Sequence, residues 1–224
     1  MSVDMGFWDY ILWNLRGMKV IRKNEYIVPN AYWVFIQLYL AVVVGVYPVK
    51  DLHMAGQQIL LKSGNRKAWW FGKVIWNILS VLGFYLVLYL SVTAVSIVTG
   101  GFKAAQPEVA AFLLENQKIE NAGTELYMYA MAVPVIVSLA IAVTQMMIAV
   151  VFQPPMGYIW VCAVIAAGIF IYSPYSLGNY LMRTPVLLHG SILNTLWAVV
   201  LGSLLILVSV VIGSITIEKK DIYS

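Results

Sequence analysis

Residues 126–182 decide the fold, because no charged side chain interrupts LYMYAMAVPVIVSLAIAVTQMMIAVVFQPPMGYIWVCAVIAAGIFIYSPYSLGNYLM. A helix that spans a bilayer needs roughly 20 predominantly apolar residues, so this stretch has room for two spans. Residues 153–157, Gln-Pro-Pro-Met-Gly, are a turn signal that one straight helix would not tolerate. We therefore place one span before this turn and another after it.

The rest of the chain repeats this pattern of long uncharged runs. Hydrophobic residues make up 62% of the sequence and charged residues 11%, whereas a soluble domain has about half and about one quarter. Leu, Val, Ile and Ala follow one another without the alternation of a β-barrel strand. The sequence predicts an all-α, polytopic membrane protein with five transmembrane helices. These are at 29–48, 76–99, 127–152, 157–173 and 192–215.

Uncharged side chains near and within the spans have two expected roles. Aromatic rings at span ends are typical of the headgroup level, and Trp69, Trp70 and Trp76 fit that position. Polar residues within spans either hydrogen-bond between helices or line a pathway, and we favour helix packing. The polar residues concerned are Gln37, Asn77, Thr93, Thr144 and Gln145.

Charge in the loops predicts the orientation. The 49–75 loop is basic, with Asp51 as its one acid, whereas the 100–126 loop has four glutamates against two lysines. Positive loops stay inside, so 49–75 is predicted to be cytoplasmic. Alternation then places the tail, 218–224, in the cytoplasm as well. The sequence thus predicts a multi-pass protein of the cell (plasma) membrane.

The N-terminal segment, 1–27, conflicts with this orientation. It carries Arg16, Lys19, Arg22 and Lys23, yet five crossings with a cytoplasmic C-terminus leave it outside. It is either an amphipathic helix on the membrane surface, an external segment that breaks a statistical rule, or followed by a stretch that does not fully cross. We favour five crossings with an interfacial N-terminal helix.

Chemistry-bearing residues are scarce within the spans, where ionisable groups are costly and usually functional. The sequence has no Ser-His-Asp set, HExxH helix, Cys/His cluster or Walker motif, and the lone Cys162 has no thiol partner. We expect no catalytic, metal or cofactor site in this chain, and therefore no enzyme. The basic residues lie beside the spans, which favours membrane lipid over nucleic acid as their partner.

Spanning alone does not explain two regions. Residues 51–67 could form a short amphipathic helix, either an ordinary surface helix or one that docks in the groove of a soluble partner. Residues 173–185 are too apolar for a free loop and too broken by Pro and Gly for a span. They are predicted to re-enter the outer leaflet, which requires shielding by other helices or a second subunit.

From about residue 30 to the end, the chain resembles the type-two ATP-binding-cassette (ABC) export permeases, especially small bacterial members for peptide or antibiotic efflux and self-protection. The segments that match are Asp51-Leu52 with Gly56-Gln57-Gln58, the stretch SGNRKAWWFGK at 63–73, GNYLMR at 178–183 and the Lys-Lys-Asp tail. Family members usually have six spans. This chain lacks the first and keeps a basic amphipathic segment in its place.

The resemblance implies a fold, partners and site residues. Two permease subunits, identical or different, would pair within the 28–217 permease domain, and each would bind a separate ATPase that holds ATP and magnesium. A cytoplasmic coupling helix would contact the ATPase through Asp51, Leu52, Gly56, Gln57, Gln58 and Arg66. An outer re-entrant element would close the exit through Pro174, Gly178, Asn179, Met182 and Arg183.

The predicted function is export of an amphipathic or apolar substrate such as a peptide or antibiotic, driven by ATP hydrolysis on the partner. The alternative is a non-transporting membrane interaction or immunity protein that binds a peptide. An intramembrane enzyme is a third possibility, and it lacks catalytic residues.

Overall fold

The computed structural model describes residues 7, 10, 11, 31–52, 65–99, 124–171, 173, 175–181 and 192–219. These residues are almost entirely helical, which confirms the all-α prediction. The helices are α1 (Ala31–Leu52), α2 (Arg66–Thr99), α3 (Thr124–Val151), α4 (Pro154–Phe170), α5 (Leu177–Tyr180) and α6 (Ile192–Lys219).

Three helices in the described part of the chain are long and apolar enough to cross a membrane. They are Arg66–Thr99, Met131–Val151 and Leu196–Lys219, while Ala31–Gly45 and Pro154–Phe170 are shorter apolar helices. At 1.5 Å per residue α4 is about 25 Å long, against a hydrocarbon core of about 30 Å. The fold is therefore that of a multi-pass membrane protein, and the count of five spans stays a prediction.

Helix α3 is the centre of the bundle. Its apolar window is 72% buried inside the chain, against 22% for the windows in α2 and α6. All five other helices contact it. Charges would be costly at this position, and the described α3 side chains include none.

Helices α1 to α4 alternate in direction along the chain, so the bundle has two distinct ends. Antiparallel packing of α2 on α3 is seen in two pairs: the Asn77 amide donates to Ala142 O at 3.2 Å, and Tyr85 Oη lies 2.8 Å from Ser138 Oγ. The charged side chains that the structure describes all lie at one end, where α1 and α3 end and α2 and α4 begin. We call it the charged end.

Several helix limits differ from those predicted. Helix α2 begins at Arg66 rather than 76, because the Asn65 side chain accepts a hydrogen bond from Ala68 N at 3.0 Å and a helix can continue beyond the hydrocarbon. Helix α1 runs to Leu52, and α6 includes Glu218 and Lys219, which were assigned to the tail. The helices therefore extend beyond the charge-free runs, and the limits of the membrane spans themselves stay predictions.

The helix break predicted at residues 153–157 is present, since α3 ends at Val151 and α4 begins at Pro154. The Pro154-Pro155 pair occupies the first helical positions of α4. Proline is well suited there, since its missing N–H would have no partner in the first turn. Helix α4 therefore covers Pro154–Phe170 instead of 157–173.

Only three residues of the predicted N-terminal interfacial helix are described. Phe7 and Ile11 are buried against Val92 near the end of α2, opposite the charged end. Their packing shows that this segment contacts the bundle, while its predicted position on the membrane surface stays a prediction.

Candidate functional site

The predicted site residues fall into two groups at opposite ends of the bundle. Asp51, Leu52 and Arg66 lie at the charged end, whereas Gly178 and Asn179 lie at the other. The predicted coupling helix begins inside α1 and ends inside α2, so its two ends are continuations of long helices rather than a separate element. The remaining predicted residues lie outside the described part of the chain; they are Gly56, Gln57, Gln58, Pro174, Met182 and Arg183.

An ion pair joins the end of α1 to the beginning of α2. Lys73 Nζ lies 2.7 Å from Asp51 Oδ2, and the two side chains are only 13% and 14% exposed. The Trp69 indole donates to the same carboxylate oxygen at 3.3 Å, and Lys73 Nζ lies 4.5 Å from the centre of the Tyr47 ring. Limited water access strengthens the attraction within the ion pair, and the Tyr47 ring face attracts the ammonium as well. We call these four residues the loop clamp, because they fix both ends of the 53–64 connection.

A second set of contacts ties α2 to the end of α6. The Arg66 guanidinium donates to Glu218 O at 3.1 Å, and Lys67 Nζ lies 3.1 Å from Glu218 Oε2. The Lys67 and Glu218 side chains are more than half exposed, so this pair contributes little stability. Arg66 belongs to α2 and donates to a carbonyl of α6, so this predicted coupling residue links the two helices.

Trp70 does not have the predicted membrane-anchor position. Its side chain is fully buried, and its indole N–H donates to Val210 O at 3.0 Å. Gly213 makes this possible, because any side chain there would occupy the space of the indole ring. Trp76 stacks on Tyr47 with ring centres 4.2 Å apart.

At the opposite end, the short helix α5 is anchored by side chains from two directions. The Asn179 amide donates to Ile171 O at 3.0 Å and to Ser173 O at 2.8 Å, which satisfies carbonyls just after α4 ends. The Trp33 indole of α1 donates to Leu181 O at 3.1 Å. Residues 178–181 of the predicted re-entrant element are thus shielded by protein, whereas Tyr175 is 72% exposed. Re-entry of this element into the membrane stays a prediction.

Glycines allow α5 to lie directly on α4. A Cβ atom built on Gly168 would approach the Gly178 carbonyl carbon to 2.7 Å, closer than real side chains come. Gly178, Asn179, Tyr180 and Leu181 are all buried. This contact gives the predicted residue Gly178 a packing role.

A layer of uncharged polar groups crosses the middle of the bundle. The Gln145 amide donates to Ala41 O at 3.0 Å, and Thr144 Oγ1 lies 2.9 Å from Ser209 Oγ. These bonds, with that of Asn77, confirm the helix-packing interpretation of three predicted polar residues. Thr93 instead bonds within its own helix.

A cavity of about 20 Å³ adjoins this layer between Gln37, Ser138 and Gln145. The Gln37 Nε2 atom is buried and has no hydrogen-bond partner among the described residues. About 10–15 Å³ of such space is enough for one water molecule. The polar groups among the described lining residues are the Gln37 and Gln145 amides and the Ser138 hydroxyl, so these residues offer hydrogen bonds to a small neutral molecule.

The sequence interpretation missed the partners in the loop clamp. Lys73 and Trp69 were assigned to orientation and anchoring, although Asp51 is the one acid among the bases of 49–75. The absence of a second acid in this loop indicated an ion pair at Asp51, because a lone carboxylate near the membrane needs a cation.

The fold and these contacts define a helical multi-pass membrane protein. No group of three or more His, Cys, Asp or Glu side chains that could hold a metal ion occurs among the described residues. No family model matches the chain, and no curated protein or solved structure is significantly similar to it.

Proposed function

We propose that this chain is the membrane-spanning permease subunit of an ABC exporter for an amphipathic or apolar substrate such as a peptide or antibiotic. ATP and magnesium would bind to a separate ATPase subunit. The observation that carries the proposal is the loop clamp, in which Lys73 and Asp51 hold the ends of the 53–64 connection together. A connection fixed to two helices transmits a displacement to both, so a partner that moved it would move α1 and α2 together.

The clamp would act on more than two helices. Arg66 and Lys67 contact Glu218 at the end of α6, and the Trp70 ring packs on α6 one turn further into the bundle. A displacement of the start of α2 would therefore also displace the end of α6. The proposal thus assigns residues 51–67 the coupling of ATP hydrolysis to helix movement.

The proposed topology has five spans, with the charged end in the cytoplasm. The described cations at that end are Arg66, Lys67, Lys73 and Lys219, as the positive-inside rule requires of the cytoplasmic side. Helix α5 would then lie toward the outer face and belong to the re-entrant element. A second permease subunit, of the same or another chain, would complete the pathway.

Co-purification with the ATPase tests the coupling assignment. Replacing Gln57, Gln58 and Arg66 together with Ala should release the ATPase from the full-length chain in detergent. Lys219→Ala is the matched control, since it also removes one cation from the charged end and lies outside 51–67. If the triple variant keeps its helix content by circular dichroism and still retains the ATPase, the coupling assignment is wrong.

Transport in vesicles separates the exporter from the peptide-binding alternative. The reconstituted complex should move a labelled amphipathic peptide only when ATP is present, and the peptide should stimulate ATP hydrolysis. An immunity or sensor protein would bind the peptide with the same affinity with or without ATP and would move none across the membrane.

A further inference from the structure

A long groove separates α1 from α2 in the half of the bundle away from the charged end. It has a volume of about 690 Å³, and the rings of Phe35, Tyr39 and Phe84 line it. The ring centres of Phe35 and Tyr39 lie 6.2 Å apart, and those of Tyr39 and Phe84 lie 6.1 Å apart. Phe35 and Tyr39 are 69% and 52% exposed, so the groove opens sideways from the bundle. We call it the α1–α2 groove.

Gly83 forms part of the floor of the groove. A Cβ atom added to Gly83 would have no heavy atom within 4 Å apart from its own helix and chain neighbours. This is unlike Gly45, Gly168 and Gly213, where an added Cβ atom would collide with a neighbour. Close helix packing therefore does not account for Gly83, and the space above it is open.

The described lining of the groove is mostly apolar. The hydroxyl groups of Ser80 and Ser91, which line it, donate to Trp76 O and Val87 O of their own helix, each at 2.8 Å. The other described lining residues are aliphatic or aromatic, and Tyr10 and Tyr39 add one hydroxyl group each. An extended peptide would leave its backbone amides unpaired there, which is costly without water. A hydrocarbon chain has no such groups.

The position of the groove also favours lipid as its occupant. From Ser80 to Val95 the groove follows α2 for about 22 Å, so it extends along most of the roughly 30 Å thickness of a hydrocarbon core. Because α2 is apolar and long enough to cross a membrane, lipid chains are the molecules that surround the mouth.

We propose that the α1–α2 groove binds one acyl chain of a membrane lipid. The inference depends on the membrane-spanning placement of α2 and is independent of any ATPase partner. Bound hydrocarbon would fill the space that the α1–α2 groove leaves beside the contacts of Leu40 and Tyr39 with α2.

Photolabelling of the full-length chain in vesicles tests the proposal. The vesicles contain phosphatidylcholine and phosphatidylglycerol, with a trace of phosphatidylcholine that carries a diazirine on one acyl chain. Mass spectrometry should find several-fold more label on Tyr39 and Phe84 than on Leu204 and Leu207, which are 60% and 65% exposed on α6. The exposed α6 face reports ordinary contact with surrounding lipid.

Two glycine variants provide the matched comparison. Gly83→Trp should fill the groove and remove the excess label, whereas Gly72→Trp should not, although Gly72 is on the same helix and equally free of neighbours. Circular dichroism and melting temperature establish that each variant is folded. Should Gly83→Trp fail to fold, the smaller Gly83→Leu tests the same prediction.

Two results would overturn the proposal. Equal labelling of the groove and the α6 face, or unchanged labelling in folded Gly83→Trp, would mean that only ordinary surrounding lipid is present. An unlabelled groove together with a loss of dimer in Gly83→Trp by light scattering would identify a second copy as the occupant.

Discussion

The indole ring of Trp70 lies directly against Gly213, so α2 and α6 meet there with no side chain from α6 between them. Trp70 is fully buried, and its N–H donates to Val210 O on the turn before Gly213. Small residues at helix contacts are the usual means by which membrane helices approach closely. This contact fixes the position of the charged end of α2 relative to α6.

Gly213→Ala should lower the free energy of unfolding by about 1–3 kcal/mol, because the new methyl group must displace the indole ring. Thermal unfolding in detergent measures the effect. Gly202→Ala is the control on the same helix, since its Cβ would lie 3.6 Å from Ile136 Cγ2, an ordinary contact. Both changes gain the same helix propensity. Equal melting temperatures for the two variants would show that Trp70 does not need Gly213.

Breaking the loop clamp should destabilise the chain more than breaking the exposed ion pair beside it. Asp51→Asn leaves the Lys73 ammonium largely buried without its carboxylate and should cost on the order of 3 kcal/mol. Lys67→Ala removes the exposed pair with Glu218 and should cost less than about 1 kcal/mol. Chemical unfolding in mixed micelles compares the two.

A second change at Lys73 distinguishes the clamp from a general effect at position 51. Lys73→Met in the Asp51→Asn background removes the unpaired charge and should recover part of the lost stability. If the double variant is as unstable as the sum of the two single variants, the two side chains are not coupled.

Gly45 and Gln145 should be strongly coupled. A Cβ atom on Gly45 would collide with the Gln145 amide, which donates to Ala41 O. Gly45→Ala should therefore destabilise the native chain but be tolerated when Gln145 is also Ala, with a coupling energy of about 1–2 kcal/mol. The four melting curves of this cycle give the value. Additive effects would mean that Gln145 can leave its position without cost.

Asn179 should be the polar side chain that holds α5 in place. Asn179→Ala removes both bonds from the buried Asn179 amide to Ile171 O and Ser173 O and should cost about 1–3 kcal/mol. Ser176→Ala is the nearby control, because the Ser176 side chain makes no capping bond to α5. It should change stability by less than about 0.5 kcal/mol. Protection of residues 171–191 from protease in vesicles should decrease in Asn179→Ala and stay unchanged in Ser176→Ala.

The sequence by itself determined the class of fold. Charge-free runs predicted helices near 76–99, 127–152 and 192–215, because burial of a charge in hydrocarbon is costly whatever the neighbours are. Helices that can span are present at these positions. Charge alone did not predict how far the helices continue, since α2 extends to Arg66 outside the apolar run. ABC export stays a proposal, which rests on the short sequence motifs that resemble the permease family and on the loop clamp.

Only the tertiary structure decided which residues meet. The helices are apolar on nearly every face, so their sequences carry little signal of which face turns inward. Three contacts each depend on the rotation and register of two helices. They are the pairing of Asp51 with Lys73, the bond of Gln145 to Ala41 O and the fit of Trp70 on Gly213. Side-chain volume and hydrogen-bond geometry fix that register, because close packing leaves few arrangements without collision.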